Sequence, residues 1–234
     1  MLPGFQLVTQ EYSDREYWNE RYAKSNGSCF DWYQRYDTLK FVINPLIPKD
    51  VPVLQVGVGN SRLQLDMAQE GYTSITSIDY AEVVIEQLQQ SHQQYPQLQY
   101  DVADARNMPR FADSSFGAVL DKGTMDAMAC GEHAATDIHD LLTEGSRLLA
   151  AGGVFLGISY GSPKSRMHCF TSPDLGWDTM LYTIDRPSST PGKGASCAEG
   201  TQAVISGPFQ PEEALKLLDT DSDDIHYVYV CHKR

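Results

Sequence analysis

Segments of strand type alternate with segments of helix type through most of this chain, and that rhythm restricts its fold more than any other feature. "VPVLQVG" at 51–57 is a short apolar, β-rich run ending in glycine, and "SRLQLDMAQEG" after it carries helix formers and a glycine stop at Gly71. "TSITSID" at 73–79 reads as the next strand, followed by "AEVVIEQLQQSHQQY", whose Val83, Val84 and Leu88 fall on one helical face. "LQYDVAD" (98–104), "FGAVLDK" (116–122), the helix "AATDIHDLLTEGSRLLA" and the strand "GGVFLGISY" continue the series. Strand then helix, repeated, predicts an α/β fold with a parallel sheet and helices on both faces.

Two further regions frame this core. Before it, "SDREYWNERYAK" opens on a Ser or Asp cap and predicts an amphipathic helix carrying Tyr17, Trp18 and Tyr22, and "YDTLKFVINPLIP" predicts a second helix ended by proline. After it, "WDTMLYTID" and "IHYVYVCHK" are strand candidates outside the βαβ rhythm that can pair antiparallel at one sheet edge. The Pro/Gly/Ser-rich piece between them reads as a flexible loop at 187–200. With no internal repeat and no composition break, residues 1–234 are expected to form a single domain, with 1–48 a helical cap over the ligand site.

In an open parallel sheet, ligands bind at the carboxyl ends of the strands where the strand order reverses. The first strand ends in Gly57-Val58-Gly59-Asn60, where missing side chains let the backbone approach a ligand. Gly57 and Gly59 begin a G-x-G-x-x-G pattern, but Arg62 stands at the third glycine's place. The second strand ends in Ile78-Asp79-Tyr80, twenty residues past Gly59, where a carboxylate can accept both ribose hydroxyls of an adenosine-type cofactor. Asp104-Ala105 follows the third strand and can meet an adenine amine and ring nitrogen; Asp121-Lys122-Gly123 ends the fourth. Each has a plainer alternative: a tight turn for the glycines, a helix cap for Asp79, a surface turn for Asp104, a solvated face for Lys122. Their joint placement favours a nucleoside-type site. Because the third glycine of a dinucleotide motif serves close packing at the pyrophosphate, Arg62 points away from NAD and towards S-adenosylmethionine, which has no phosphate.

The five cysteines, Cys29, Cys130, Cys169, Cys197 and Cys231, are scattered with no C-x-x-C pair, so free thiols are expected, with neither a disulfide framework nor a metal site. With 31 acidic and 18 basic residues the formal charge is −13, which opposes nucleic-acid binding and makes a basic partner easier. No apolar stretch is long enough for a membrane span and no secretory leader is legible, so a cytoplasmic protein is expected.

The order "VLQVGVGNSRL", "ITSIDYAEVVIEQL", "YDVADARNMPRFADSSFGAVLDKGTMDAM" and "EGSRLLAAGGVFLGIS" resembles the class I S-adenosylmethionine-dependent methyltransferases, and more narrowly the branch containing the lysine methyltransferases of translation elongation factor 1-alpha. "EYWNERYAKS" with the following "FDWY" is similar to the same branch; the resemblance spans roughly residues 12 to 160, with "DKGTMDA" its most distinguishing piece. It implies a Rossmann-like, doubly wound, mostly parallel seven-stranded sheet with an antiparallel C-terminal edge strand. It also implies that Gly57 and Gly59 line the methionine portion of the cofactor, Asp79 and Tyr80 the ribose, and Asp104 and Ala105 the adenine, with Asn60 and Asp121 also at the cofactor site. Trp18, Tyr22 and Trp32 match positions that fold over the cofactor, and Lys122 matches one beside its amino-acid end. The alternative for Trp18 and Tyr22 is a helix face packed on the sheet. Gln55 departs from the acidic residue common before the glycines in the wider family.

Methyl transfer to an activated carbon needs positioning and water exclusion more than a covalent nucleophile. A lysine acceptor must first lose its proton, and Asp126 is a candidate to orient or deprotonate it, or else a helix-terminal carboxylate without a catalytic role. The leading expectation is a protein-lysine methyltransferase that uses S-adenosylmethionine and no metal. A small-molecule methyltransferase and a cofactor-binding interaction module without turnover are the alternatives, and an NAD dehydrogenase a distant one.

Overall fold

A computed structural model describes residues 11–25, 27–185, 203–217 and 224–234. A single-turn 3-10 helix at Glu11–Ser13 leads into α1 (Arg15–Ser25) and α2 (Tyr36–Leu46). The alternating core follows as β1 (Val53–Val56), α3 (Leu63–Gln69), β2 (Ile75–Asp79), α4 (Glu82–Ser91), β3 (Leu98–Val102), β4 (Phe116–Lys122), α5 (Thr124–Met128), α6 (Ala134–Leu148) and β5 (Leu149–Ser159). The C-terminal part is α7 (Pro163–Phe170), β6 (Trp177–Asp185), β7 (Ile205–Phe209), α8 (Pro211–Leu217) and β8 (Ile225–Lys233).

These elements share one eight-stranded sheet, ordered β3-β2-β1-β4-β5-β8-β6-β7. β1 to β5 pair in parallel, and β8, β6 and β7 continue antiparallel. The expected seven strands become eight because β7, "ISGPF", carries a glycine and a proline that read as a turn. Proline is tolerated on an edge strand, where no ladder bond is required of its missing N–H. The edge is therefore β7, while β8 lies inside the sheet between β5 and β6, its residues 226–231 buried. The predicted antiparallel pairing of the two late strands is present, with Leu181 opposite Tyr229. The expected loop at 187–200 lies outside the described residues, as do residues 1–10 of the expected cap.

Strand side chains alternate between two apolar layers, as a sheet covered on both faces demands. Val53, Ile75, Leu120 and Leu156 pack with α1 to α4, including Trp18, Leu39, Met67 and Val84. Leu54, Ile78, Val119 and Phe155 pack on the other face with α5 to α8, including Met125, Leu141, Phe170 and Ala214. Strand order reverses between β1 and β4, which opens a crevice beyond their carboxyl ends.

Candidate active site

The chain leaves β1 through two glycines whose backbones are left-handed, with φ of 56° at Gly57 and 53° at Gly59. Space as well as conformation excludes side chains here. A Cβ on Gly57 would lie 2.0 Å from Thr124 Oγ1, and one on Gly59 would lie 2.9 Å from the Tyr22 hydroxyl oxygen. Thr124 Oγ1 donates to the Val56 carbonyl at 3.1 Å, so the start of α5 is stitched to the end of β1. Arg62 precedes α3, pairs with Asp66 at 3.2 Å and is half exposed. The place of a third glycine thus lies on the outer side of the turn, away from the crevice.

Asp79, at the end of β2, accepts from the Gly59 amide through Oδ2 and from the Ala81 amide through Oδ1, both at 2.9 Å. Burial pushes its carboxyl up to about 6 against these amides, which favour the charged form. Each oxygen keeps an acceptor position for a ribose hydroxyl. Trp18, Tyr22, Trp32, Gly57, Gly59, Asn60, Asp79, Tyr80, Asp104, Ala105 and Lys122 all line one cleft.

The cleft differs from the sequence expectation at Asp104. Its carboxylate is gripped by Arg106, with Nε at 3.0 Å and Nη2 at 2.6 Å, and Arg106 also reaches Asp137 at 2.7 Å. Burial, which raises the Asp104 carboxyl, is outweighed by Arg106, which holds it below the usual carboxylate value. Asp104 therefore acts on the cleft together with Arg106, which lines it too and which no spacing rule singled out.

A cap of rings covers the opening. Trp18 and Tyr22, one helical turn apart on α1, stack at 5.5 Å, and Trp18 Nε1 donates to the Tyr12 carbonyl at 2.8 Å. Arg21 lies over both Trp18 and Trp32, 5.7 and 5.4 Å from their ring centres. Trp18 and Tyr22 thus serve both readings given to them, as core side chains and as cleft lining. Buried Lys122 donates to Asp31 Oδ1 and to the Trp32 carbonyl, each at 3.2 Å, and Asp31 also accepts from the Ser61 hydroxyl. Burial lowers the Lys122 ammonium, and Asp31 opposes that shift. Asp31 carries no local sequence signal, because its partners lie 30 and 91 residues away.

Two expected site residues stand elsewhere. Asp121 is buried away from the cleft lining and accepts from the Thr124 and Met125 amides at 2.8 and 3.1 Å, tying down the first turn of α5. Asp126 is also buried and outside the lining, its oxygens taken by Tyr33, Ser159, the Tyr160 amide and Arg166. Neither borders the cleft, and both oxygens of each already accept hydrogen bonds.

Gln55 provides the test of whether a cofactor fits. It is 2% exposed and lines the cleft, yet its Oε1 has no hydrogen-bond partner. A buried acceptor left unpaired costs about 1–3 kcal/mol, so a donor is expected there. An α-ammonium group beside the glycine turn supplies one, with Lys122 on hand for the carboxylate and Asp79 for the ribose. The residues fit a nucleoside that carries a free amino-acid tail. Among the described residues, no group of three or more His, Cys, Asp or Glu is placed to hold a metal ion.

Comparison with known proteins agrees. Residues 54–157 match a family model described as "Methyltransferase domain". The chain is 27% identical over 232 residues to EEF1A lysine methyltransferase 4 of Mus musculus, covering 92% of this chain and 90% of that protein. It is 35% identical over 154 residues to the eEF1A lysine and N-terminal methyltransferase of Homo sapiens, covering 64% of this chain and 22% of that protein. Among solved structures, a methyltransferase of Methanosarcina mazei aligns with a TM-score of 0.52 at 17% identity, over 87% of this chain and 99% of its own. The [4+2]-cyclase SpnF aligns at 0.56 and 15% identity over 100% of this chain and 97% of its own, a likeness of fold.

Proposed function

We propose, from the premise that the chain is a class I S-adenosylmethionine-dependent methyltransferase, that it methylates a lysine side chain of a protein, with translation elongation factor 1-alpha as the acceptor. The observation that carries this reading is similarity to EEF1A lysine methyltransferase 4 over nine-tenths of both chains, joined to a cleft fitted for the cofactor.

When bound, S-adenosylmethionine supplies a methyl group on a sulfonium, already activated for displacement. The chain's own residues then bind and orient. Gln55 Oε1 and the Gly57–Gly59 turn receive the amino-acid end, with Lys122 beside it. Asp79 accepts from the ribose, and the strip from Ala103 to Arg106 borders the adenine. Trp18, Tyr22 and Trp32 close over the cleft and exclude water, which strengthens each polar contact beneath them. The acceptor must arrive as the neutral amine, because an ammonium has no lone pair. Asp126, with both oxygens already accepting, is not arranged to take that proton.

The net charge of −13 supports a basic protein partner and disfavours nucleic acid. We place the reaction in the cytoplasm, where a translation factor is met. No described helix is long and apolar enough to cross a membrane. The test is transfer of labelled methyl from S-adenosylmethionine to purified elongation factor 1-alpha and to cell extract. One labelled protein band, mapping to lysine, is expected; label confined to small molecules, or none, overturns the reading.

A further inference from the structure

The reading of the chain as a protein-lysine methyltransferase leaves the seat of the acceptor unassigned. A row of aromatic rings runs outward from the cleft. Trp32 lines the cleft, the Tyr33 ring centre lies 6.4 Å from that of Trp32, and the Tyr160 ring centre lies 6.2 Å from that of Tyr33. Tyr33 stands beside the cleft rather than in its lining, packed against the lining residue Gly123: a Cβ on Gly123 would come within 3.2 Å of Tyr33 Cε2. Tyr160 follows the carboxyl end of β5 and is 45% exposed, so the row ends in solvent. Tyr33 also has a left-handed backbone, φ 65°, which is uncommon for a bulky residue and is held only where the surroundings enforce it.

One buried carboxylate ties this tyrosine to the end of β5. Asp126 Oδ2 accepts from the Tyr33 hydroxyl at 2.9 Å and from the Tyr160 amide at 3.1 Å. Its Oδ1 accepts from Ser159 Oγ at 2.7 Å and from Arg166 Nη2 at 3.3 Å. A single oxygen therefore ties the Tyr33 hydroxyl to the backbone at Tyr160, and the neighbouring cation, Arg166, is paired rather than aimed at an incoming positive charge. Burial and the charge of Asp126 both raise the Tyr33 hydroxyl, keeping it a donor.

We propose that Tyr33 and Tyr160, whose rings meet at a tilt of 50°, form an aromatic corner along which the acceptor lysine reaches the cleft, and that Asp126 is the positioning residue that holds it. This rests on the protein-lysine reading. Its chemistry suits a lysine: the methylenes pack against ring faces, and an ammonium or methylated ammonium is attracted to them. The acidic surface favours the approach of a cationic segment.

The experiment compares wild type with Tyr160→Ala, Tyr160→Phe and Asp126→Asn, measuring S-adenosylhomocysteine affinity by calorimetry and kcat and KM toward purified elongation factor 1-alpha. All four proteins are expected to bind the nucleoside within about twofold of one another, which also reports an intact cleft. Tyr160→Ala is expected to raise the acceptor KM about tenfold with a smaller change in kcat. Tyr160→Phe, which keeps the ring, restores it, and Asp126→Asn shifts KM in the same direction as the alanine variant. An unchanged acceptor KM in Tyr160→Ala, with nucleoside affinity intact, overturns the aromatic corner while the lysine reading stands. Loss of nucleoside affinity in Asp126→Asn overturns the positioning role, and a wild-type protein that labels no lysine overturns both readings together.

Discussion

The backbone amide of Gly59 donates to Asp79 Oδ2 at 2.9 Å, so the turn after β1 and the carboxyl end of β2 form one unit. Replacing Asp79 by alanine removes the acceptor for the ribose and leaves the Gly59 and Ala81 amides without partners. At about 1.5–3 kcal/mol for each charge-assisted bond, S-adenosylhomocysteine affinity is expected to fall about tenfold or more. Calorimetry checks this, and unchanged affinity would remove Asp79 from the site.

The same carboxyl gives the cleft a pH dependence. Burial places Asp79 at about 6 and, with the charge of Asp126 second, Asp121 at about 7, against 3.8 for both in their ordinary state. Folded values above unfolded ones mean that the folded state binds more protons between them. The contribution of these two groups to stability therefore grows as pH falls from about 7 towards about 4. Affinity for S-adenosylhomocysteine moves the other way, because ribose hydroxyls donate to the ionised form. It is expected to be level above about pH 7 and to fall by up to about tenfold per unit below about pH 6. Asp79→Asn flattens that limb. A wild-type affinity that is equal at about pH 5 and about pH 8 would contradict the assignment.

Gln55 should separate stability from binding. Gln55→Leu removes a buried acceptor with no partner in the protein, so the cofactor-free protein is expected to gain up to about 1–3 kcal/mol and melt higher. Affinity for S-adenosylhomocysteine is expected to drop about tenfold. A variant that loses stability and keeps its affinity would show that Oε1 does not face the ligand's ammonium.

Gly57→Ala meets two obstacles, a Cβ 2.0 Å from Thr124 Oγ1 and a φ of 56°. The backbone term alone costs about 1–2 kcal/mol. In a Thr124→Gly background, which lacks both the clash and the Thr124–Val56 bond, Gly57→Ala is expected to cost only the backbone part of the lost melting temperature. No cost at all in that background would show that conformation contributes nothing at this turn.

The parallel half of the fold was legible because each strand is a short apolar run closed by Gly or Asp and followed by a helix-period segment. The cleft lining was legible for the same reason: Gly57, Asp79, Asp104 and Lys122 mark strand ends. The sequence did not disclose that Arg106, two residues from Asp104, grips it while also donating to Asp137, or that Asp126 is saturated by four donors, since pairing across 31 to 93 residues leaves no local pattern. β7 escaped because "ISGPF" has the composition of a turn. Asp31, the counter-charge to Lys122, lies in a segment with no periodicity to read.

β8 hydrogen-bonds to β5 on one side and to β6 on the other, although β6 and β7 precede it in the chain. During synthesis from the N-terminus, the parallel half can assemble as its segments emerge, while β6 and β7 have nothing to pair with except each other. Trp177, Leu181 and Ile184, buried in the finished molecule, must wait without their partners until residues 225–233 are made. A strand translated after all of its neighbours is the keystone of the sheet. That interval is when the nascent chain offers apolar surface to a chaperone or to another copy of itself.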